Sequence, residues 1–156
     1  MIKTHLLAEL GKQEIVLTRT FDVPCALVFK TVTDPNLIPQ WWGPRSLKTT
    51  VEIMDVRMGG LWRFVQHEPG GNMYAFHGVY HEVQPPERLV YTFEYEGTPG
   101  HALLEVITLE GQRSKTLFTD KTIFQSVQDR DGMLQAGMQN GAAESMDRLA
   151  ELLCLV

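Results

Sequence analysis

The stretch from Asp129 to Cys154 narrows what this chain can fold into more than any other. With successive residues set about 100° apart, Leu134, Met138, Ala142, Ser145, Leu149, Leu152 and Leu153 fall in one arc. Asn140, Glu144, Asp147, Arg148 and Glu151 fall opposite. This pattern predicts one long helix with an apolar face on a core and a polar face in water. About 24 residues span roughly 36 Å, close to the width of seven strands at about 4.8 Å spacing. Such a helix crosses a whole sheet. Asp129 and Asp131 suit its positive end and either can cap it. Glu144 and Arg148 form an i,i+4 pair of small worth. Gly132, Gly137 and Gly141 each weaken the helix by about 1 kcal/mol relative to alanine. Gly141 lies on the apolar face and leaves room there. Met133, Met138 and Met146 adapt to differently shaped neighbours. Close packing on a sheet accounts for these features by itself. The sharper alternative is a helix that roofs an apolar cavity.

The rest of the chain supplies the sheet. Residues 1–12 read as a loosely ordered lead-in ending at Gly11. Glu14 to Phe21 reads as a strand, 24–33 as a helix begun at Pro24, and 35–39 as a short helical turn ended by Pro39. After Gln40-Trp41-Trp42-Gly43-Pro44, turn signals recur at Met58-Gly59-Gly60, Pro69-Gly70-Gly71-Asn72, Pro85-Pro86, Gly97-Thr98-Pro99-Gly100 and Gly111-Gln112-Arg113. They cut out strands near 47–57, 60–67, 73–83, 88–95, 102–110 and 114–125, a meander of antiparallel neighbours. The first strand joins at an edge. The apolar phase switches between Ile53 and Met54, which predicts a bulge and a bend. The expected class is α+β: a seven-stranded, curved antiparallel sheet wrapped around the long C-terminal helix, with two short helices between strands 1 and 2. A single domain, 1–156, has its core at about 14–154.

Net charge is −5 with no basic block, so neither a nucleic-acid footprint nor a nucleic-acid partner is expected. No apolar run reaches the roughly 20 residues of a membrane span, and Met1 to Leu7 lack the features of a signal peptide. A cytoplasmic location without membrane association follows. Cys25 and Cys154 sit in apolar sequence and read as reduced, buried thiols. No metal is expected: His77 and His81 are four apart, but on a strand that is roughly 13 Å. His81-Glu82 lacks the second histidine of a zinc-protease motif. No nucleophile is singled out, so catalytic residues remain unassigned and no cofactor is expected.

Aromatic residues recur at period two. Trp62 and Phe64 share one face of their strand, and Leu89, Tyr91, Phe93 and Tyr95 share one face of theirs. Core packing explains such patterns. A curved sheet, however, has more inner surface than one helix covers. The remainder would be a cavity, the usual form of a small-molecule site. The candidate ligand-binding residues are Trp41, Trp62, Phe64, His77, Tyr91, Phe93, Met138 and Ala142. Trp41 closes one end, and His77 or Tyr91 supplies polarity.

Four segments together resemble a known family: Phe29 to Pro44 (FKTVTDPNLIPQWWGP), Asp55 to Phe64 (DVRMGGLWRF), His77 to Phe93 (HGVYHEVQPPERLVYTF) and Gly132 to Leu153 (GMLQAGMQNGAAESMDRLAELL). The chain is similar over about 14–154 to bacterial proteins named after the activator of the ninety-kilodalton heat-shock-protein ATPase. These belong to the START-like, helix-grip (SRPBCC) superfamily. The resemblance implies the gripped helix and a hydrophobic ligand between helix and sheet. The eukaryotic activator has an additional N-terminal domain for its chaperone. No counterpart is read here, so chaperone binding is not expected.

The leading expectation is therefore binding of a small apolar molecule, with a homodimer left open. One alternative is a cyclase- or hydrolase-like enzyme using the same pocket, with His77 as acid or base. Another is an interaction module that presents Trp41 and Trp42 to a chaperone or regulator.

Overall fold

Alternation sets the sheet. A computed structural model describes residues 3–155; Met1, Ile2 and Val156 lie outside them. In β2 (Glu14–Phe21), every second residue (Ile15, Leu17, Arg19 and Phe21) is buried. The same phase runs through β7 (Leu103–Gln112), where Leu103, Ile107 and Leu109 are buried. In β8 (Lys115–Ile123) it buries Thr116, Phe118 and Thr122. β3 (Lys48–Met54), β4 (Leu61–His67), β5 (Met73–Gln84) and β6 (Arg88–Tyr95) complete the meander. All pairs are antiparallel, in the order β1-β2-β8-β7-β6-β5-β4-β3.

Among the described residues the sheet has eight strands, not seven. His5–Leu7, expected within an unstructured lead-in, forms the short β1, which pairs with Val16 to Thr18 of β2. β2 is thus covered along the middle of its outer edge. The expected bulge is present, as a register shift between Val51 and Ile53. A second shift lies between Tyr80 and Glu82 in β5. Bulges bend a strand and add twist, and here they fall in the half of the sheet that carries the aromatic residues.

α1 (Cys25–Val32) buries Val28, Phe29 and Val32 and takes Pro24 as its N-cap residue. α2 spans Ile38–Trp41, with Pro39 inside its first turn instead of at its end. A missing N–H costs nothing at that position.

The C-terminal helix is broken. α3 (Val127–Gln135) and α4 (Met138–Leu153) meet at Gly137, whose φ is 86°. A left-handed residue cannot continue a right-handed helix, and glycine adopts that conformation without the penalty a Cβ brings. The cap of α3 is Ser126, whose Oγ accepts from the Asp129 N–H at 3.0 Å; neither Asp129 nor Asp131 is the cap. α4 buries Met146, Leu149, Leu152 and Leu153 against the main core. α3 packs near β2, where the buried Arg130 donates to the backbone carbonyls of Glu9 and Glu14.

The loop after α2 is fastened to α4. Ser145 Oγ accepts from Gly43 N–H at 2.9 Å, and Glu144 accepts from Arg45 N–H. Arg45 reaches Glu151 through two hydrogen bonds of 2.6 and 3.0 Å. Arg148 Nη1 donates to the Gly43 carbonyl at 2.8 Å. The expected Glu144–Arg148 pair gives way to these contacts, because carbonyls turned out by the Trp42–Pro44 corner lie within reach of the guanidinium. The cysteines also depart from expectation. Cys25 is half-buried and Cys154 is exposed at the end of α4, and both are free.

Candidate functional site

The concave face of the sheet is not filled by the helices that cover it. A cavity of about 330 Å³ remains between them. Its aromatic wall is built by register. Trp62 stands opposite Gly78, and Phe64 opposite Phe76, across β4 and β5. Tyr80 stands opposite Tyr91 across β5 and β6. Gly78 makes the arrangement possible. A Cβ there would come within 1.7 Å of the Thr92 carbonyl oxygen and 2.5 Å of Trp62 Nε1. Without one, the indole lies across β5 and donates to that carbonyl at 3.1 Å.

Trp42 enters from the fastened loop. Its ring packs edge-on against Phe64 at 5.1 Å and Phe76 at 5.4 Å between centroids. Such offset aromatic contacts add about 0.5–1.5 kcal/mol each beyond the area they bury. The helices supply Met133, Met138, Gly141, Ala142, Ser145 and Met146. At Gly141 a Cβ would meet nothing within 4 Å. A second, larger cavity of about 630 Å³ adjoins the first. The two share Gln66, Phe76, Phe93 and Met133 as walls. His101 Nδ1 and Asp129, 3.0 Å apart, join the β6–β7 loop to α3 at its border.

Trp41, Trp62, Phe64, Tyr91, Phe93, Met138 and Ala142 all line the inner cavity. His77 does not. It belongs to the phase of β5 opposite Phe76 and Tyr80, and its side chain is 45% exposed on the outer face. There its Nδ1 lies 2.9 Å from Glu96 and its Nε2 3.5 Å from Glu94. Arg63 pairs with the same Glu96 and with Glu52, and these partners hold the Glu96 carboxyl down at about 2. His77 is therefore part of a surface ion network, and it brings neither polarity nor an acid or base to the cavity. His81 is the exposed extra residue of the β5 bulge. Trp41 is buried and Trp42 half-buried, both at the cavity, so neither indole is presented at the surface.

The cavity's ionisable acids are two residues that the sequence reading did not single out, Glu105 and Asp120; Gln66, Tyr80, Tyr91 and Ser145 add neutral polar groups. Glu105 stands opposite Tyr91 on one side and Thr122 on the other. Asp120 stands opposite Ile107 and Leu17. The two acids are diagonal neighbours on the inner face of β7 and β8. Thr122 Oγ donates to Asp120 at 3.4 Å. Burial pushes Glu105 above the usual carboxylate range. It pushes Asp120 well above that range, with the neighbouring Glu105 adding to the effect. Burial also raises the Tyr91 hydroxyl. The signal was present in the sequence: Glu105 is in phase with Leu103, Ile107 and Leu109, and Asp120 with Phe118 and Phe124. A charge on the apolar phase of a strand is the anomaly that marks them.

No helix among the described residues is long and apolar enough to cross a membrane. None of the curated proteins matches the chain significantly. Among solved structures, it is similar to a protein from Rhodobacter sphaeroides, with TM-score 0.90 and 21% identity, covering 99% of both chains. A protein from Arthrobacter aurescens gives TM-score 0.90 at 20% identity, covering 97% of this chain and 92% of that one. The AHSA1 protein from Silicibacter pomeroyi gives TM-score 0.75 at 25% identity, covering 91% and 98% respectively. These likenesses support the helix-grip architecture, with an eighth strand added to the seven expected. The family model described as Activator of Hsp90 ATPase homolog 1-like protein matches residues 22–154, and the chain belongs to that family.

Proposed function

We propose that this protein binds a small, largely apolar molecule in the cavity between the sheet and the C-terminal helices. The observation that carries the reading is the cavity itself: about 330 Å³ bounded by aromatic rings and methionines, with a few convergent polar groups. Sites for small molecules have this form and size. A ligand that buries about 250 Å² of apolar surface gains roughly 6 kcal/mol before the costs of ordering.

The test is native mass spectrometry of freshly purified protein, with organic extraction of whatever is bound, on the natural chain and on Met138→Trp. Met138 lines the cavity from the start of α4, so an indole at that position occupies the ligand's space. A reproducible adduct on the natural chain that disappears from a folded Met138→Trp variant is the expected result. An adduct retained in full by the variant would put the ligand elsewhere.

A further inference from the structure

We infer that the ligand of this cavity is an organic cation: an apolar body carrying a protonated amine that docks on Glu105 and Asp120. The inference rests on the cavity being a ligand site and adds the ligand's charge. Two carboxyls face a largely apolar space whose other polar lining (Gln66, Ser145, Tyr80 and Tyr91) is neutral, and no Lys, Arg or His lines it among the described residues. Arg19, a basic residue of the inner face, lies two residues along β2 from Leu17, the partner of Asp120, and stands opposite Phe118. Its Nη1 is committed to Asp147 at 2.8 Å and to Thr4 at 3.1 Å, and its Nε has no partner among the described residues. On the helices, Arg148 is taken up by loop carbonyls and Arg130 by Glu9, Glu14 and Asp131. Lys121 pairs with Glu14 at the surface. Among the described residues, the two acids have each other, Tyr91 and Thr122 as polar neighbours.

Two acids this close in an apolar site cannot both ionise cheaply, so in the empty cavity a proton stays with the pair. A bound ammonium group takes the place of that proton, which passes to solvent. It donates hydrogen bonds to both carboxylates, and such charge-assisted bonds are the strong ones. The walls suit the same guest. Tyr80, Tyr91, Trp62 and Phe93 surround the space beside the acids, and aromatic faces attract desolvated cations. Trp41, 7% exposed, also borders the cavity, and its indole N–H has no partner among the described residues, which leaves a donor for an acceptor on the guest's body. A carboxylate ligand meets like charge here, and a neutral alcohol offers one uncharged donor where an ammonium group offers three charge-assisted ones.

The experiment is calorimetric titration at pH 7 with three probes of one shape: 4-phenylbutylamine, 4-phenylbutanol and 4-phenylbutyrate. Each is titrated into the natural chain and into the Glu105→Gln, Asp120→Asn double variant. The expected result is that the amine binds the natural chain at least tenfold more tightly than the alcohol, with the acid weakest. In the double variant the amine's advantage falls below threefold while the alcohol still binds. Equal binding of amine and alcohol to the natural chain, or tightest binding of the acid, would overturn the cationic assignment and leave the cavity reading standing. An amine preference that survives the double substitution would place the cation elsewhere and overturn it as well. Binding of none of the three would count against the cavity as a ligand site, and the inference would fall with it.

Discussion

Replacing Gly141 by leucine should stabilise this protein and abolish ligand binding at the same time. Gly141 is in the second turn of α4 and lines the cavity. A side chain there meets nothing for the first 4 Å. Two contributions add. Removing glycine from a helix interior is worth about 0.5–1 kcal/mol. Burying leucine against the cavity wall gains about 1.5–3 kcal/mol at full burial, less here because part of the new side chain still faces empty space. The sum is a gain of about 1–3 kcal/mol, which for a domain of this size raises Tm by roughly 2–10 °C. Urea unfolding measures the first effect. Native mass spectrometry, or titration with a bound molecule once identified, measures the second. The combination is informative because a variant that loses binding by unfolding cannot also be more stable. A Gly141→Leu protein that is less stable than the natural chain would show that the space is not available to a side chain. One that is more stable yet binds undiminished would show that the ligand does not use it.

Three further outcomes follow from particular residues. Gly78→Ala should cost about 2–4 kcal/mol in urea unfolding, because the new methyl meets the Thr92 backbone and displaces the buried Trp62 indole from its acceptor; a loss under 0.5 kcal/mol would refute this packing. Gly137→Ala should destabilise by about 1 kcal/mol, since the left-handed backbone at that position penalises a Cβ; stabilisation instead would mean that α3 and α4 prefer to join into one helix. Asp120→Asn should stabilise the protein, and increasingly so as pH rises. The folded state holds a proton on the acid pair that the unfolded chain releases from about pH 4 upward, so the natural chain loses stability with rising pH through the raised folded range; urea midpoints for both proteins at pH 5 and pH 8 should diverge, and parallel midpoints would refute it.

Much of this architecture was legible in the sequence because it rests on periodicity. Breakers such as Gly59-Gly60 and Pro85-Pro86 delimit the meander, and the phase change at Ile53 announces a bulge that the structure contains. What escaped detection lacks a periodic signal. β1 is three residues long, too short for alternation to register. The break at Gly137 is hidden because glycine at a helical position and glycine in a left-handed turn look the same in one dimension. Alternation also placed Trp62, Phe64, Tyr91 and Phe93 on inner faces. It held the information on His77 too, since Phe76 and Tyr80 occupy the opposite phase of β5. That information was outweighed by histidine's chemical interest, whereas Glu105 and Asp120 belong to no recognisable motif and stand out only against the apolar phase of their strands.

The sheet's two ends bear on how the protein behaves when crowded. An open strand edge is a template on which another chain can extend the sheet, the first step towards aggregation. Here the middle of the long, regular β2, Val16 to Thr18, is hidden behind a strand of three residues. At the other end, β3 carries Lys48 and Glu52 and loses its register after Val51. A copy arriving at either edge finds a short run of hydrogen-bonding groups or an irregular, charged one. The fold thus limits edge-to-edge growth of a wide, strongly curved sheet without closing it into a barrel.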